Sequence, residues 1–434
     1  MIPTLIIAIT TFVLITASII FFPSIKIGKV KIDLYWIIAL LSAIILIAFS
    51  FAPIKTVYEQ FTSSNAINPL KILILFFSMT ILSIYLDEVG LFKYLAVLAT
   101  KKAKSSQLGL FFIFYALTSV LTIFTSNDIV ILTLTPFICF FAKRAKINPL
   151  PYLIAEFVAA NTWSMMFVIG NPTNIYLATS AGISFIPYLR VMFLPTILAG
   201  LVEIIIIYLL FRKQLKNPIV INEEDYQIES KLDLIFGVII LGICLVFLII
   251  SSYINIEMWL ISLSCAGALI LFSFVTRIIT KKHWDYLGVS FKRLPYPLIP
   301  FFISMFVIVV ALSEQGIASS LSNVLANGNP IFVYGFSSFL ASNLINNIPM
   351  SILFSVLPNG LDAVSYSKAI YASIIGSNIG AFLTPIGALA GIMFSSLLNK
   401  YEVKFSFLDF VKYGVKVAIP TISTALLGLF IITL

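Results

Sequence analysis

Apolar runs of about 20 residues recur along almost the whole chain, from Ile2–Phe22 to a last run that closes on Leu434. Coiled as a helix, a run of that length crosses a ~30 Å hydrocarbon layer. Charge agrees with the pattern: Lys, Arg, Asp and Glu make up 10% of the 434 residues, against ~25% in soluble domains. These features exclude an ordinary soluble enzyme and imply an all-α polytopic membrane protein. About ten full spans are expected, near 2–22, 33–53, 70–87, 152–181, 191–212, 232–251, 257–277, 295–313, 367–395 and 412–433. No basic residue precedes Lys26 and no convincing small-residue cleavage site follows the first run, so it reads as a retained span.

The net charge of +9 lies in short loops between spans rather than on one face. It orients the chain in the bilayer and implies no nucleic-acid partner. Cys139, Cys244 and Cys265 fall singly in separate apolar runs, and the lone His283 sits in a basic loop. Neither a disulfide framework nor a metal cluster is expected, and nothing in the sequence places the thiols together.

Two segments do not read as ordinary crossings. The first, 105–142, carries Ser126, Asn127 and Asp128 between two apolar arms, with Lys101, Lys102 and Lys104 before it and Lys143, Arg144 and Lys146 after it. Like charge at both ends puts both ends in the cytoplasm. The second, 330–358, has Ser342, Asn343, Asn346 and Asn347 at its centre and no Lys or Arg from Glu314 to Asp362, so both its ends are expected outside. Two re-entrant hairpins entering from opposite faces reconcile these charges with the polar tips. On that layout 23 Lys and Arg lie in the cytoplasm and four (Lys55, Lys71, Arg190, Lys368) outside, with both termini external.

An internal repeat follows the same logic. Residues 76–91 and 302–317 align without gaps and match at Phe76/Phe302, Ser78/Ser304, Met79/Met305, Leu86/Leu312, Glu88/Glu314 and Gly90/Gly316. Downstream, Asn127-Asp128 corresponds to Asn346-Asn347, Asn161 to Asn378, and Asn171-Pro172 to Thr384-Pro385. The charge layout gives the halves opposite topology, as in transporter folds. The expected organisation is a first repeat over 1–212, a cytoplasmic linker over 213–231 containing Glu223, Glu224 and Asp225, and a second repeat over 232–434.

Four polar breaks carry helix-start chemistry: Ser126-Asn127-Asp128, Gly170-Asn171-Pro172-Thr173-Asn174, Asn346-Asn347-Ile348-Pro349 and Thr384-Pro385-Ile386-Gly387. A side-chain oxygen followed closely by Pro is what an N-cap and first turn require, so each break is expected to restart a helix within the membrane. Converging helix N-termini offer amide donors and partial positive charge to an anion, oxyacid or polar neutral solute, and freed carbonyls can hold a cation. One such break would mean only a kinked helix; four in symmetric pairs point to a substrate and ion site.

Asp128 is the most informative acid, either a plain N-cap or a group that binds a cation or carries a proton. Glu203 falls mid-span, whereas Glu156 is expected near the cytoplasmic interface, where an acid needs no function. Trp163, Met165 and Met166 read as packing residues. No Lys or Arg lies deep in a span, which favours a neutral or weakly charged solute and leaves Na⁺-assisted anion binding open.

The motifs SNDIVILTLTPF (126–137), GNPTNIYLA (170–178), NLINNIPMSILF (343–354) and GSNIGAFLTPIGALAGIM (376–393) resemble the ion-transporter superfamily. Among its branches they are most similar to the arsenite and antimonite efflux permeases, and more distantly to Na⁺-coupled dicarboxylate carriers. The resemblance covers nearly the whole chain. It implies a scaffold that dimerises, a transport domain of hairpins and broken helices moving as an elevator, and a cation site beside each tip. That site carries onto Ser126, Asn127 and Asn171 to Asn174 in one half, and onto Asn346, Asn347, Asn378, Thr384 and Pro385 in the other. The chain departs from the carboxylate carriers, whose tips read Ser-Asn-Thr, by having Asp128 at one tip and Asn346-Asn347 at the other. An acid at the tip suits proton antiport.

The expectation is therefore a proton-coupled efflux permease for a metalloid oxyacid in a prokaryotic plasma membrane, needing no cofactor beyond a coupling H⁺ or Na⁺. Its partners would be a small inorganic or organic solute, a second copy of the chain and, as an optional partner, a cytoplasmic ATPase subunit. A Na⁺-coupled carboxylate or inorganic anion carrier is the alternative. An intramembrane enzyme lacks support: there is no HExxH, no GxSxG with a partnering His and no pair of intramembrane Asp. A channel would show a continuous polar face, not polarity confined to breaks.

Overall fold

A computed structural model describes residues 1–22, 24–27, 30–62, 68–103, 106–217, 219, 226–280 and 285–434. His283, Lys104 and the linker acids Glu223, Glu224 and Asp225 lie outside the described residues. The described residues form two successive runs of ten α-helices. The first run is α1 (Ile2–Phe21), α2 (Leu34–Ala48), α3 (Ile54–Thr62), α4 (Pro69–Glu88), α5 (Leu91–Ala103), α6 (Gln107–Phe124), α7 (Asn127–Ala145), α8 (Leu150–Trp163), α9 (Pro172–Ser180) and α10 (Phe185–Phe211). The second is α11 (Lys231–Ile254), α12 (Met258–Thr280), α13 (Tyr286–Arg293), α14 (Leu298–Glu314), α15 (Ile317–Leu325), α16 (Pro330–Ile345), α17 (Asn347–Val356), α18 (Ala363–Gly380), α19 (Leu389–Lys400) and α20 (Phe407–Ile432). Among the described residues seven helical stretches are long and apolar enough to cross a membrane.

Local chemistry sets many boundaries. Asn68, Asn171 and Asn329 each precede a Pro and cap α4, α9 and α16 by accepting from the amide two residues on. The aligned Glu88 and Glu314 end α4 and α14, and the aligned Gly90 and Gly316 follow at φ +92° and +71°, a conformation that favours glycine. The sequence missed α3, α5, α13 and α15, which are too short or too amphipathic for an apolar-run criterion. It also missed a small antiparallel ribbon, Ser24–Ile27 against Val30–Asp33, with Ile25 opposite Ile32.

Packing divides the helices into two modules. One contains α6 to α10 with α16 to α20, built on the pairs α16/α18, α10/α20, α6/α8, α7/α19 and α9/α17. The other contains α1 to α4 and α11 to α14, built on α2/α14, α4/α12, α1/α2 and α11/α12. An apolar seam between them is lined by Ile72, Phe76, Leu298 and Phe302 on one side and Pro172 and Ile348 on the other. Below it, Arg293 at the end of α13 pairs with Asp87 at 2.7 Å and with Glu88, and Asp87 also meets the Thr133 hydroxyl of α7.

Hydrogen bonds fix the direction of the two polar-tipped segments. Tyr152 donates to Gln107 (3.0 Å) and Thr122 to the Ala160 carbonyl (2.9 Å), so α6 runs alongside α8 in the same direction. Thr135 donates to Glu156 (3.0 Å) and Asn127 to Asn161 (3.1 Å), so α7 runs against it. The chain therefore doubles back at Thr125-Ser126. In the second half Tyr334, near the start of α16, donates to the Leu357 carbonyl beyond the end of α17 (3.2 Å), and the reversal falls at Asn346, which holds φ +69°. The α16 arm lies unusually close to α18: a Cβ on Gly376 would stand 2.0 Å from Ser338 Oγ, and one on Gly380 2.1 Å from Ser342 Oγ. This small-residue spacing lets the two backbones touch.

Candidate functional site

The two tips and the two helix breaks meet in one buried polar cluster. Its hub is Asn378 on α18, which donates to Asn174 Oδ1 (2.6 Å) and to its own helix at the Ile374 carbonyl (2.8 Å). It accepts from Asn171 Nδ2 (2.8 Å) and Ser164 Oγ (3.0 Å), so both donors and both lone pairs are occupied. Beside it Ser377 donates to Thr173 Oγ1 (2.9 Å), and Thr173 in turn donates to Asn171 Oδ1 (3.0 Å). Gly170 is required for this turn, because a Cβ there would lie 2.4 Å from the Ser164 carbonyl. Asn174 closes the loop by donating to that same carbonyl (2.8 Å).

Each tip is tied to the break in its own half. Asn127 donates to Asn161 Oδ1, and Asn161 donates to the Phe157 carbonyl (2.8 Å). At the second tip Asn346 Nδ2 donates to the Ile386 carbonyl (2.9 Å) and the Asn347 amide to the Gly387 carbonyl (3.0 Å). Thr384 donates to Asn343 Oδ1 (2.7 Å), and Asn343 donates to the Gly380 carbonyl (3.0 Å). Pro349 is buried in the first turn of α17, where it costs no intrahelical bond.

Three polar groups here lack protein partners among the described residues: Asn127 Oδ1, buried and unpaired, the half-buried Asp128 carboxylate, and the buried Asn347 side chain. Asp128 and Asn347 occupy equivalent positions in the repeat alignment. No Lys or Arg is among the buried described residues, so the cluster presents amides, hydroxyls and carbonyls around one carboxylate. Such a set can hold a neutral polyhydroxy solute, or a cation on its oxygens.

Several expectations are corrected by this geometry. Asp128 is not an N-cap: Ser126 holds that position, and Asp128 is the second residue of α7. Thr384-Pro385 does not restart a helix, because residues 381–388 form turns and α19 begins only at Leu389; Thr384 instead bridges to Asn343. Glu156, expected to need no partner, is enclosed by protein. It is fully buried between α7 and α8, both carboxylate oxygens facing Thr135 Oγ1. Glu203 is buried mid-helix in α10, where Tyr115 (2.7 Å) and Thr162 donate to it and Trp163 donates to Tyr115 (2.9 Å). Trp163, Met165 and Met166 pack as expected. Sequence reading missed Ser164 and Ser377, single serines with no local signal. It noted Asn343 at the hairpin centre without assigning it to the site.

The sequence profile of the citrate transporter (CitMHS) family matches residues 31–376, most of the chain, including both tips and the Gly170–Asn174 break but stopping short of Ser377, Asn378 and Thr384. The chain belongs to this family. Like the other citrate transporter family members it is a multi-pass membrane transporter. It is 25% identical over 368 residues to an arsenical pump membrane protein of Escherichia coli, covering 82% of this chain and 84% of that one. It is equally similar, 25% over 379 residues, to a 46 kDa membrane protein of Mycobacterium leprae, covering 83% and 85%. An uncharacterized transporter of Mycobacterium tuberculosis is 25% identical over 399 residues, covering 87% and 90%. The crystal structure of the Alcanivorax borkumensis YdaH transporter superposes with a TM-score of 0.53 over 99% of this chain and 97% of that one, at 15% identity. That likeness concerns the fold.

Proposed function

We propose that this family member is a secondary active transporter that exports a neutral metalloid oxyacid, arsenite or antimonite, in exchange for protons. The observation that carries the reading is the pair of corresponding tip residues Asp128 and Asn347, each with a side chain that has no protein partner among the described residues, in a cluster free of buried Lys and Arg among those residues. A trihydroxy acid that is uncharged at neutral pH needs hydrogen-bond acceptors and donors, not counter-charges. Asn127 Oδ1 and the Asn347 amide supply them. Asp128 is the only carboxylate at either tip and takes the exchanged proton; Glu156 and Glu203, held by hydroxyls, are the further candidates on its path. The arsenical pump membrane protein among the relatives supports the substrate class.

The mechanism that fits is an elevator. The module holding both tips slides along the apolar seam at Phe76, Phe302 and Ile348, exchanging the few polar contacts that cross between the modules, Thr16 with the Leu344 carbonyl (2.9 Å) among them. In this reading the hairpins are re-entrant from opposite faces and the halves 1–212 and 232–434 are an inverted repeat joined by the 213–231 linker. Both termini are external, a second copy docks on the other module, and a cytoplasmic ATPase subunit is an optional partner. A second reading, a Na⁺-coupled carboxylate carrier, is favoured by the citrate description of the family. The helix N-termini of α7, α9 and α17 would then face the anion, with cations on the freed carbonyls.

The test is flux in proteoliposomes with proton and Na⁺ gradients imposed separately, arsenite and citrate run in parallel. Arsenite accumulation driven by protons alone is expected. Na⁺-driven citrate uptake without arsenite flux would replace the substrate and keep the site.

A further inference from the structure

Tyr115 has one hydroxyl hydrogen and two acceptors within reach. Its oxygen lies 2.8 Å from the Gly200 carbonyl and 2.7 Å from Glu203 Oε1, both on α10, and it accepts from the Trp163 indole N–H at 2.9 Å. The other carboxyl oxygen, Oε2, meets the Thr162 hydroxyl. Four hydrogen bonds need four hydrogens, and Trp163, Tyr115 and Thr162 bring three. With Glu203 ionised, Tyr115 would have to face one of its two acceptor oxygens with no hydrogen between them. A hydrogen on Oε1 closes the set: Glu203 donates to Tyr115, Tyr115 donates to Gly200, and Trp163 and Thr162 donate as before. Gly200 is needed here, since a Cβ on it would stand 2.5 Å from the Trp163 ring.

The surroundings agree. Glu203, Thr162 and Tyr115 are buried, and no Lys or Arg among the described residues is, so an ionised carboxylate would lose its hydration with no cation to offset it. Helix α6 brings Tyr115 against it and α8 brings Thr162 and Trp163, with Glu156 nearly two turns earlier and held by Thr135. Helix α20 lies alongside with Tyr413 on Phe211 and Gly428 against Pro195, which sets Asp409, Lys412, Tyr413 and Lys416 toward the Phe211 end. Helix α11 carries its charges, Lys231 and Asp233, in its first turn.

We propose that Glu203 is a proton-binding site in its own right, a neutral carboxylic acid at neutral pH in this conformation, with a Tyr115 hydroxyl that reverses when the proton is lost. The carboxylate then becomes an acceptor, the hydroxyl swings from Gly200 to Glu203, and the tie from α6 to the α10 backbone opens. The proton's route lies along α6. Thr118, one turn from Tyr115 on the same side, has a buried hydroxyl with no partner among the described residues, and Thr122, a turn further on, reaches α8 beside the first tip. Use of this proton in exchange rests on the transport reading. Its presence does not, because it is measured without flux.

The experiment is infrared difference spectroscopy of the full chain in lipid nanodiscs, in H2O and D2O at neutral pH. A protonated-carboxyl C=O band that shifts in D2O should be lost in Glu203→Gln and survive in Asp128→Asn and Glu156→Gln. Tyr115→Phe should move that band, because the acid loses its acceptor. Gln offers an N–H to Tyr115 and an oxygen to Thr162, so Glu203→Gln should keep the wild-type thermal midpoint while Glu203→Leu lowers it. Thr118→Val should keep the band and slow its bleaching after a jump to alkaline pH; an unchanged rate overturns the route. No protonated-carboxyl intensity lost in Glu203→Gln, no band shift in Tyr115→Phe, or a midpoint that falls as far with Gln as with Leu each overturns the site. If Glu203→Leu does not fold, the infrared measurements decide it.

Discussion

Asn378 and Asn174, which lie in different halves of the chain, share a 2.6 Å hydrogen bond at the centre of the molecule. Asn378 is the α18 residue that the repeat alignment pairs with Asn161 on α8, yet the two do different work. Asn161 anchors the first tip through Asn127, whereas Asn378 joins the α8–α9 break to α18 and leaves the second tip to Asn343 and Asn346. The two corresponding asparagines are wired differently.

Asn378→Ala strands Asn174 Oδ1 and Asn171 Nδ2 in the interior. At about 1–3 kcal/mol for an unsatisfied buried group, the loss should be about 2–4 kcal/mol after relaxation. The expected readout is a clear drop of the thermal midpoint in detergent together with loss of solute binding. An unchanged midpoint would remove the hub role.

Asp128→Asn should leave the fold intact, because the carboxylate has no protein partner to lose. Flux should persist down a solute gradient but lose its response to an imposed pH gradient. Proton-driven accumulation at the wild-type rate would sink the coupling role. Asn347→Ala should instead weaken solute binding, about tenfold for one lost hydrogen bond, with coupling retained.

Gly376→Ala forces a methyl group to within 2.0 Å of Ser338 Oγ and 2.5 Å of the Gly335 carbonyl. Overpacking of this kind costs about 1–3 kcal/mol. The arm α16 should shift away from α18, lowering the thermal midpoint and the solute affinity together. Gly242→Ala, where a Cβ meets nothing within 4 Å, is the matched control.

Arg293→Met leaves Asp87, with 7% of its side chain exposed, without its cation. The cost should be about 2 kcal/mol, below that of a fully buried pair because Arg293 keeps 29% of its side chain in solvent. Adding Asp87→Asn should restore part of it in a double-mutant cycle. Additive effects would mean that the pair is not coupled.

Asp362, outside the spans, caps α18 by accepting from the Val364 (3.0 Å) and Ser365 (3.1 Å) amides, and the hydrogen bonds from Ser365 hold its carboxyl below the usual Asp range. A depressed folded-state value means that the cap is fully present above the ordinary Asp pKa and is lost as pH falls through the lower folded value. Amide protection factors at Val364 and Ser365 should therefore fall only in that acidic window, and Asp362→Asn should abolish the change. Protection that stays constant from neutral to strongly acidic pH would exclude the carboxylate cap.

The sequence by itself determined which segments are helical and apolar, where both tips lie and which asparagines start α9 and α17, because hydropathy and N-cap chemistry act over a few neighbouring residues. Even there the reading failed where a local motif had two uses. Thr384-Pro385 has the composition of a helix start, but the Thr384 hydroxyl is taken by Asn343, 41 residues away, and the chain turns on to Leu389 before coiling again. Only the tertiary structure decided that Asn378 faces Asn174, that Glu156 is enclosed by Thr135, and that Cys244 meets Met79. Each of these depends on the rotation and depth at which one helix packs on another, and those are set by side-chain volumes summed over whole interfaces, Gly376 against Ser338 among them, rather than by any residue's own neighbours in the chain.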